Sequence, residues 1–195
     1  MSDLFEEHEA LPVEFNPHWL TLDEALGLSD RLKEEVNWRQ DVIGTPGGPV
    51  PLPRLTAWQG EPGAVYVYSG IRNVPEPWTP TVSALRLRLQ RELGAQFNSV
   101  LLNRYRGGAD SISWHSDDER ELGPEPVIAS VSLGVTRTFE LRHRKNAMPV
   151  ERYALSSGSL LVMKGRTQQD WQHRIPKEPK VQGERINLTF RLVRG

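Results

Sequence analysis

A chain of 195 residues, 37% hydrophobic and 25% charged, is long enough for one domain with a full core and too apolar to be disordered. A net charge of −1 argues against a grip on a long polyanion, so any such contact has to be local. The absence of cysteine excludes disulfides, a cysteine nucleophile and thiolate metal sites. With no apolar run long enough for a membrane span and no secretory order in the acidic start Met1–Glu7, a cytoplasmic monomer without membrane contact is expected.

Residues 1–18 read as a loose acidic arm on a single domain covering 1–195. Thr21 opens a helix, and Glu24 three residues later completes a capping box. Leu22, Ala25, Leu28, Leu32 and Val36 give that helix one apolar face. Asp41 to Pro53, rich in Gly and Pro, reads as a loop. Ala64 to Tyr68 reads as a short strand ended by Ser69-Gly70. Pro80 suits the first position of a second helix, with Val82, Leu85, Leu89 and Leu93 on one side and Gly94 as its stop.

Beyond Gly94 the apolar period changes from 3.6 to 2. Asn98 to Tyr105 is strand-like. Ala129, Val131, Leu133 and Val135 alternate with Ser130, Ser132 and Gly134, as in a half-buried strand. Thr138–Arg142, Glu151–Leu155, Ser159–Lys164 and Arg185–Val193 add further strands. Two helices followed by many short strands predict an α+β fold whose chemistry sits on an antiparallel sandwich or jelly roll.

Two patterns carry chemistry. His115 and Asp117 are two apart, so in extended chain both side chains point to one side. His173 can close the set from another strand. Two histidines and a carboxylate form the facial triad of non-haem iron(II) oxygenases, and the same three ligands also suit a hydrolytic zinc site. The second pattern is the segment Arg185–Arg191. Ile186, Leu188 and Phe190 share one face, while Arg185, Asn187, Thr189 and Arg191 share the other. Such a polar strip is common on a solvated sheet face. Yet over roughly 20 Å, at about 3.3 Å per residue, two arginine forks can converge on a short dicarboxylate.

Together these segments resemble the AlkB family of Fe(II)- and 2-oxoglutarate-dependent nucleic-acid dealkylating dioxygenases, nearest its vertebrate homologues 2 and 3. The carrying segments are Asn98–Tyr105, Trp114–Glu119, Ile128–Glu140, Gln169–Lys177 and Arg185–Arg191. The resemblance implies a double-stranded β-helix with N-terminal helices packed on the sheet. It implies that His115, Asp117 and His173 bind iron. Asn103, Tyr105 and Arg185 match the residues around the distal carboxylate of 2-oxoglutarate. Arg191 matches the partner of the carboxylate near the metal, and Asn187 and Thr189 match positions lining that pocket.

Tyr66 and Tyr68 match aromatic positions that contact an extruded base, Asp118 a position at the polar edge of that base, and Arg54 a basic position facing phosphate. The implied reaction removes methyl groups from bases such as 1-methyladenine and 3-methylcytosine in DNA, with RNA as a further candidate. It consumes 2-oxoglutarate and O₂ and releases succinate, CO₂ and formaldehyde.

Basic residues gather at Arg142–Lys145 and at Arg104 with Arg106, either of which can equally be a solvated face. The loop Gly60–Gly63 has no bulky apolar tip to invade a duplex, so a single-stranded substrate is expected. Three other readings remain open on sequence grounds. They are an oxygenase of the same chemistry acting on protein or a small molecule, a non-catalytic module that binds alkylated nucleic acid, and a zinc hydrolase.

Overall fold

The computed structural model describes residues 11–68, 71–145 and 148–194, and of 66–68 and 71–73 the backbone alone. In chain order the elements are β1 (Val13–Asn16), α1 (Leu22–Glu35), β2 (Val42–Thr45), β3 (Gly48–Pro51), β4 (Leu55–Gly60), β5 (Tyr66–Tyr68), β6 (Ile71–Asn73) and α2 (Pro80–Leu93). They continue with β7 (Ser99–Tyr105), β8 (Ile112–His115), β9 (Ile128–Gly134), β10 (Arg137–His143), β11 (Glu151–Leu155), β12 (Ser159–Met163), α3 (Thr167–Asp170), β13 (Trp171–Ile175) and β14 (Arg185–Arg191). A six-stranded sheet runs β1-β12-β9-β14-β7-β4, and a four-stranded sheet runs β11-β10-β13-β8. Every pair within these two sheets is antiparallel. The α+β jelly roll expected from the pattern is the observed architecture.

Strand alternation decides which residues meet the helices and which meet the second sheet. Ala57, Val100, Leu102, Ala129, Val131, Leu133, Leu160, Val162, Ile186, Leu188 and Phe190 form the face of the large sheet that packs against α1 and α2. The opposite face carries Leu101, Asn103, Tyr105, Ser130, Ser132, Arg185, Asn187, Thr189 and Arg191, and the small sheet covers it. Both faces of β9 and β14 are therefore buried. This corrects one expectation, since β9 is not half-solvated, and of the two readings of the polar strip of β14 it excludes the solvent-facing one.

The helices follow their local signals. At the start of α1 the Thr21 side chain accepts from Glu24 N and the Glu24 carboxylate accepts from Thr21 N. Ala25, Leu28, Leu32 and Val36 are buried, whereas Leu22 is 68% exposed and lies off the packed face. In α2, Pro80 stands in the first turn, and Gly94 ends the helix at φ 62, a left-handed conformation that favours glycine.

Two further readings change. The arm expected over 1–18 is ordered from Val13 to Asn16, because β1 pairs along β12 at the edge of the large sheet. Its first ten residues lie outside the described residues. The loop expected over Asp41–Pro53 contains a two-stranded ribbon, β2 with β3, which turns at Pro46–Gly47 into Gly48 at φ 109. The loop after β4 is tied to α2, since Trp78 Nε1 donates to the Glu61 carboxylate at 3.1 Å and Arg86 pairs with it. Among the described residues, no helix is long and apolar enough to cross a membrane.

Candidate metal centre

β8 and β13 are neighbours in the small sheet, and their register sets His115 directly opposite His173. The two imidazole centroids are 4.2 Å apart. The chain leaves β8 just after His115, and two bonds hold the next residues inward. Ser116 Oγ donates to Trp171 O at 2.7 Å, and Asp117 N donates to Gln168 Oε1 at 2.9 Å. Asp117 is thereby buried beside the histidines, and one ligand atom from each of the three residues lies within 4.8 Å of the others.

The orientation of these groups suits a cation. His115 Nδ1 is 2.8 Å from Ser113 O, which leaves Nε2 turned toward Asp117 Oδ1 at 4.0 Å. Asp117 Oδ2 accepts from Arg191 Nη2 at 2.6 Å and Nε at 3.1 Å. Asp117 Oδ1 is buried and, among the described residues, has no hydrogen-bond donor. A buried carboxylate oxygen without a donor, beside two imidazoles, is where a divalent cation fits.

Protonation agrees. Burial lowers the His115 pKa, against the pull of the Asp117 charge. Burial, aided by the neighbouring His115, lowers that of His173 to about 3. Burial works to raise the Asp117 pKa, but the charges of Arg191, His173 and His115 outweigh it and hold it at about 2. At neutral pH the site thus offers two neutral imidazoles and one carboxylate, the states a metal ion requires.

The same cavity extends along the inner face of the large sheet. Asn103, Tyr105, Arg185, Asn187, Thr189 and Arg191 all line it with the three metal-ligand candidates. The register explains the gathering: Arg185 lies opposite Tyr105, and Asn187 opposite Asn103. Arg185 is 1% exposed, its Nη2 donates to Ser132 Oγ at 2.8 Å, its guanidinium lies 5.2 Å from the Tyr105 ring centroid, and its Nε and Nη1 have no hydrogen-bond partner among the described residues. Burial pulls its pKa down to about 10, so it stays charged. A buried guanidinium with two unpartnered nitrogens is a costly arrangement that an anion would relieve. These residues fit a carboxylate at the end of the cavity away from the metal ligands.

The candidates for substrate contact fare differently. Arg54, expected to face phosphate, is 3% exposed and turned inward. Its Nε donates to Asn103 Oδ1 at 2.8 Å and its Nη1 to Ser111 O at 3.3 Å. The surface role is corrected, because β4 pairs along β7 and draws Arg54 into the interior. Asp118 pairs with Arg144 and borders a neighbouring depression with Glu119, Arg120 and Gln168, outside the metal cavity. Tyr66 and Tyr68 lie on β5, and their side chains lie outside the described residues.

Of the basic groups, Arg104 pairs with Glu184 at 2.8 Å and Arg106 with Asp110 at 2.8 Å. Arg142 lies over the Trp114 ring, 4.3 Å from its centroid, and bonds Gln172.

Several contributors escaped the sequence reading. Leu101, Ile112, Phe139, Met163 and Ile175 form the apolar wall of the cavity, and Ser130 adds to its polar side. Alternation along β7 and β9 was the signal for Leu101 and Ser130. Gln168, 1% exposed, supports Asp117 through the backbone. Arg137, 1% exposed, donates to the carbonyls of Gly107, Asp110 and Pro176 and to the Glu178 carboxylate. It locks two loops beside the cavity.

Comparison with known proteins agrees with this geometry. The chain is 45% identical over 188 residues to the rat protein "Alpha-ketoglutarate-dependent dioxygenase alkB homolog 3", an alignment covering 91% of this chain and 62% of that one. It is 42% identical over 149 residues to the mouse "DNA oxidative demethylase ALKBH2", covering 73% and 62%. The chain thus spans under two thirds of the length of these curated relatives.

Among solved structures, OsALKBH1 superposes with a TM-score of 0.66 at 18% identity, over 95% of this chain and 100% of that one. A Pseudomonas putida prolyl-4-hydroxylase superposes with a TM-score of 0.57 at 16% identity, over 95% and 94%. These two likenesses concern the fold. The profile of the 2OG-Fe(II) oxygenase superfamily matches residues 12–191, the span that holds both sheets, the His115–Asp117–His173 cluster and the Arg185 cavity. With that match and that site, this chain belongs to the 2OG-Fe(II) oxygenase superfamily.

Proposed function

We propose that this chain oxidatively removes N-linked methyl groups from nucleic-acid bases such as 1-methyladenine and 3-methylcytosine. The observation that carries the reading is a single buried cavity with a two-histidine, one-carboxylate cluster at one end and an under-bonded buried guanidinium at the other. Support for the substrate class comes from relatives named as an alkB homologue and a DNA oxidative demethylase.

His115, Asp117 and His173 would hold Fe(II). Arg185, with Asn103 and Tyr105, would hold the distal carboxylate of 2-oxoglutarate. Arg191, fixed on Asp117, would meet the carboxylate nearer the metal. When bound, iron and 2-oxoglutarate supply with O₂ the oxidising chemistry that hydroxylates the N-methyl group, which leaves as formaldehyde while the keto acid leaves as succinate and CO₂.

The residues of the chain orient and exclude. Arg191 keeps Asp117 ionised and fixed. Phe139, Ile112 and Ile175 keep water from the reacting end. Gln168 and the Trp171 carbonyl fix the segment that carries Asp117. A base reaches this buried end only when extruded or already single-stranded. The net charge of −1 and the small tip at Gly60–Gly63 favour single-stranded DNA, with RNA as a second substrate of the same kind. Asp118, next to Asp117 in sequence, would meet the positive charge of bases methylated at N1 of adenine or N3 of cytosine only once released from Arg144.

The test is an aerobic reaction of purified protein with Fe(II), 2-oxoglutarate and oligonucleotides bearing one such base, single- and double-stranded, read by mass. Loss of one methyl, dependent on both additions and faster on the single strand, is the expected result. Turnover of 2-oxoglutarate with a peptide or small molecule, and none with any methylated oligonucleotide, would contradict the proposal.

A further inference from the structure

Arg54 stands just before β4, inside the molecule, with its Nε donating to Asn103 Oδ1 at 2.8 Å. We infer that Arg54 is a positioning residue for the cosubstrate. It fixes which end of the Asn103 amide faces the cavity, and so makes the anchor for the distal carboxylate of 2-oxoglutarate a set of donors only. The inference rests on the 2-oxoglutarate reading of that cavity.

Donor and acceptor valence fixes the orientation of the amide. A guanidinium has five N–H donors and no acceptor. Whichever way the amide of Asn103 is turned, only its oxygen can satisfy Arg54. Its NH₂ group must then face elsewhere, and Asn103 lines the cavity with Tyr105 and Arg185. The other amide at this end is already engaged. Asn187 Nδ2 donates to Ser130 Oγ at 2.8 Å and to Val131 O at 3.1 Å, and its Oδ1 accepts from Thr189 Oγ1 at 3.0 Å.

Ser132 Oγ is taken by Arg185 Nη2. What remains for a ligand is the Asn103 NH₂ group with Nε and Nη1 of Arg185, beside the Tyr105 hydroxyl, whose O–H can also be given to an acceptor. A carboxylate, which only accepts, matches that set. Without Arg54 the amide is released to rotate and present its own oxygen to the carboxylate. Arg54 is 3% exposed and its hydrogen bonds go to Asn103 and the Ser111 carbonyl; only its charge reaches the metal end, as the smallest of the influences on His115.

The test uses Fe(II)-loaded protein without dioxygen and calorimetric titration of two keto acids. 2-Oxoglutarate carries the distal carboxylate, and 2-oxobutyrate keeps the chelating end and lacks it. Arg54→Ala is expected to weaken 2-oxoglutarate by about ten- to a hundredfold, the loss of one hydrogen bond to a charged group, and to leave 2-oxobutyrate unchanged. Arg54→Lys, still a donor without an acceptor, is expected to recover most of the affinity.

Unchanged affinity for 2-oxoglutarate in Arg54→Ala, or an equal loss for both keto acids, would overturn the inference. If Arg54→Ala does not fold, Asn103→Asp decides. It keeps an acceptor for Arg54 but offers only oxygen to the cavity, so it is expected to lose 2-oxoglutarate and keep 2-oxobutyrate. Retention of both overturns the inference. Wild-type protein that binds 2-oxobutyrate as tightly as 2-oxoglutarate overturns the cosubstrate reading itself, a failure distinct from that of Arg54.

Discussion

Replacing His173 with Ala is expected to lower turnover by about a thousandfold or more, roughly 4 kcal/mol at 1.36 kcal/mol per tenfold, while the chain stays folded. The imidazole sits on β13 opposite His115 and is packed 5.3 Å from the Phe139 ring, 5% exposed. It is neutral at neutral pH, because burial lowers its pKa to about 3, so its removal leaves no unpaired charge behind. What it takes away is one of three nitrogen and oxygen donors that lie within 4.8 Å of one another. The check is Fe(II) affinity and turnover measured beside far-ultraviolet circular dichroism. A folded His173→Ala protein that keeps more than about a tenth of wild-type turnover would remove His173 from the metal set.

The second large effect concerns stability. Arg191→Ala should cost about 3–5 kcal/mol at neutral pH, because it leaves the Asp117 carboxylate buried without its partner. The Arg191 and Asp117 side chains are 4% and 2% exposed, with 2.6 Å between Nη2 and Oδ2, so solvent does little to screen them. The pH dependence follows from the Asp117 pKa. Burial tends to raise it, and Arg191 is the foremost charge that instead holds it at about 2.

A depressed carboxylate pKa contributes stability above the unfolded value, about 3.9, and loses it as pH falls through the folded one. In Arg191→Ala the raised pKa makes the carboxylate a liability at neutral pH that protonation relieves. Urea unfolding of the two proteins should therefore differ most near pH 7 and converge as pH falls toward the folded value of about 2. A gap below about 1 kcal/mol at pH 7, or a gap that widens in acid, would contradict this account.

How much of this was legible in the sequence depended on the range of the signal. The helices were read from contiguous cues: Thr21 with Glu24, Pro80 with Gly94. The His115–Asp117 pair was legible as a close spacing, though Asp117 lies just past β8 and is held beside the histidines by the bonds of Ser116 and of its own N–H rather than by strand alternation. His173 was a candidate partner by residue type alone and the family resemblance singled it out, since nothing local to it announces that β13 pairs with β8 in the register that opposes it to His115.

Alternation along Arg185–Arg191 told which side chains share a face. It could not tell that a second sheet covers that face, since an alternating polar row looks the same against water and against a polar cavity. β4 was missed for a related reason. Thr56, Ala57, Trp58, Gln59 and Gly60 are all buried, so no apolar alternation marks it. That omission displaced Arg54, whose inward direction follows from the pairing of β4 with β7. The ribbon of β2 and β3 was hidden by the very Gly and Pro residues that make its turn. β1 was hidden by its place at a sheet edge, where it depends on β12 rather than on its own four residues.

The claim on which the rest depends is that one cavity holds both a metal ion and a keto dicarboxylate between the two sheets. Diffraction from crystals grown without dioxygen, with Mn(II) in place of iron and with 2-oxoglutarate, tests it most directly. The account predicts an anomalous peak bounded by His115, Asp117 and His173, with the far carboxylate of the keto acid on Arg185. A metal peak away from those three residues, or a keto acid that leaves Arg185 unpartnered, would contradict it.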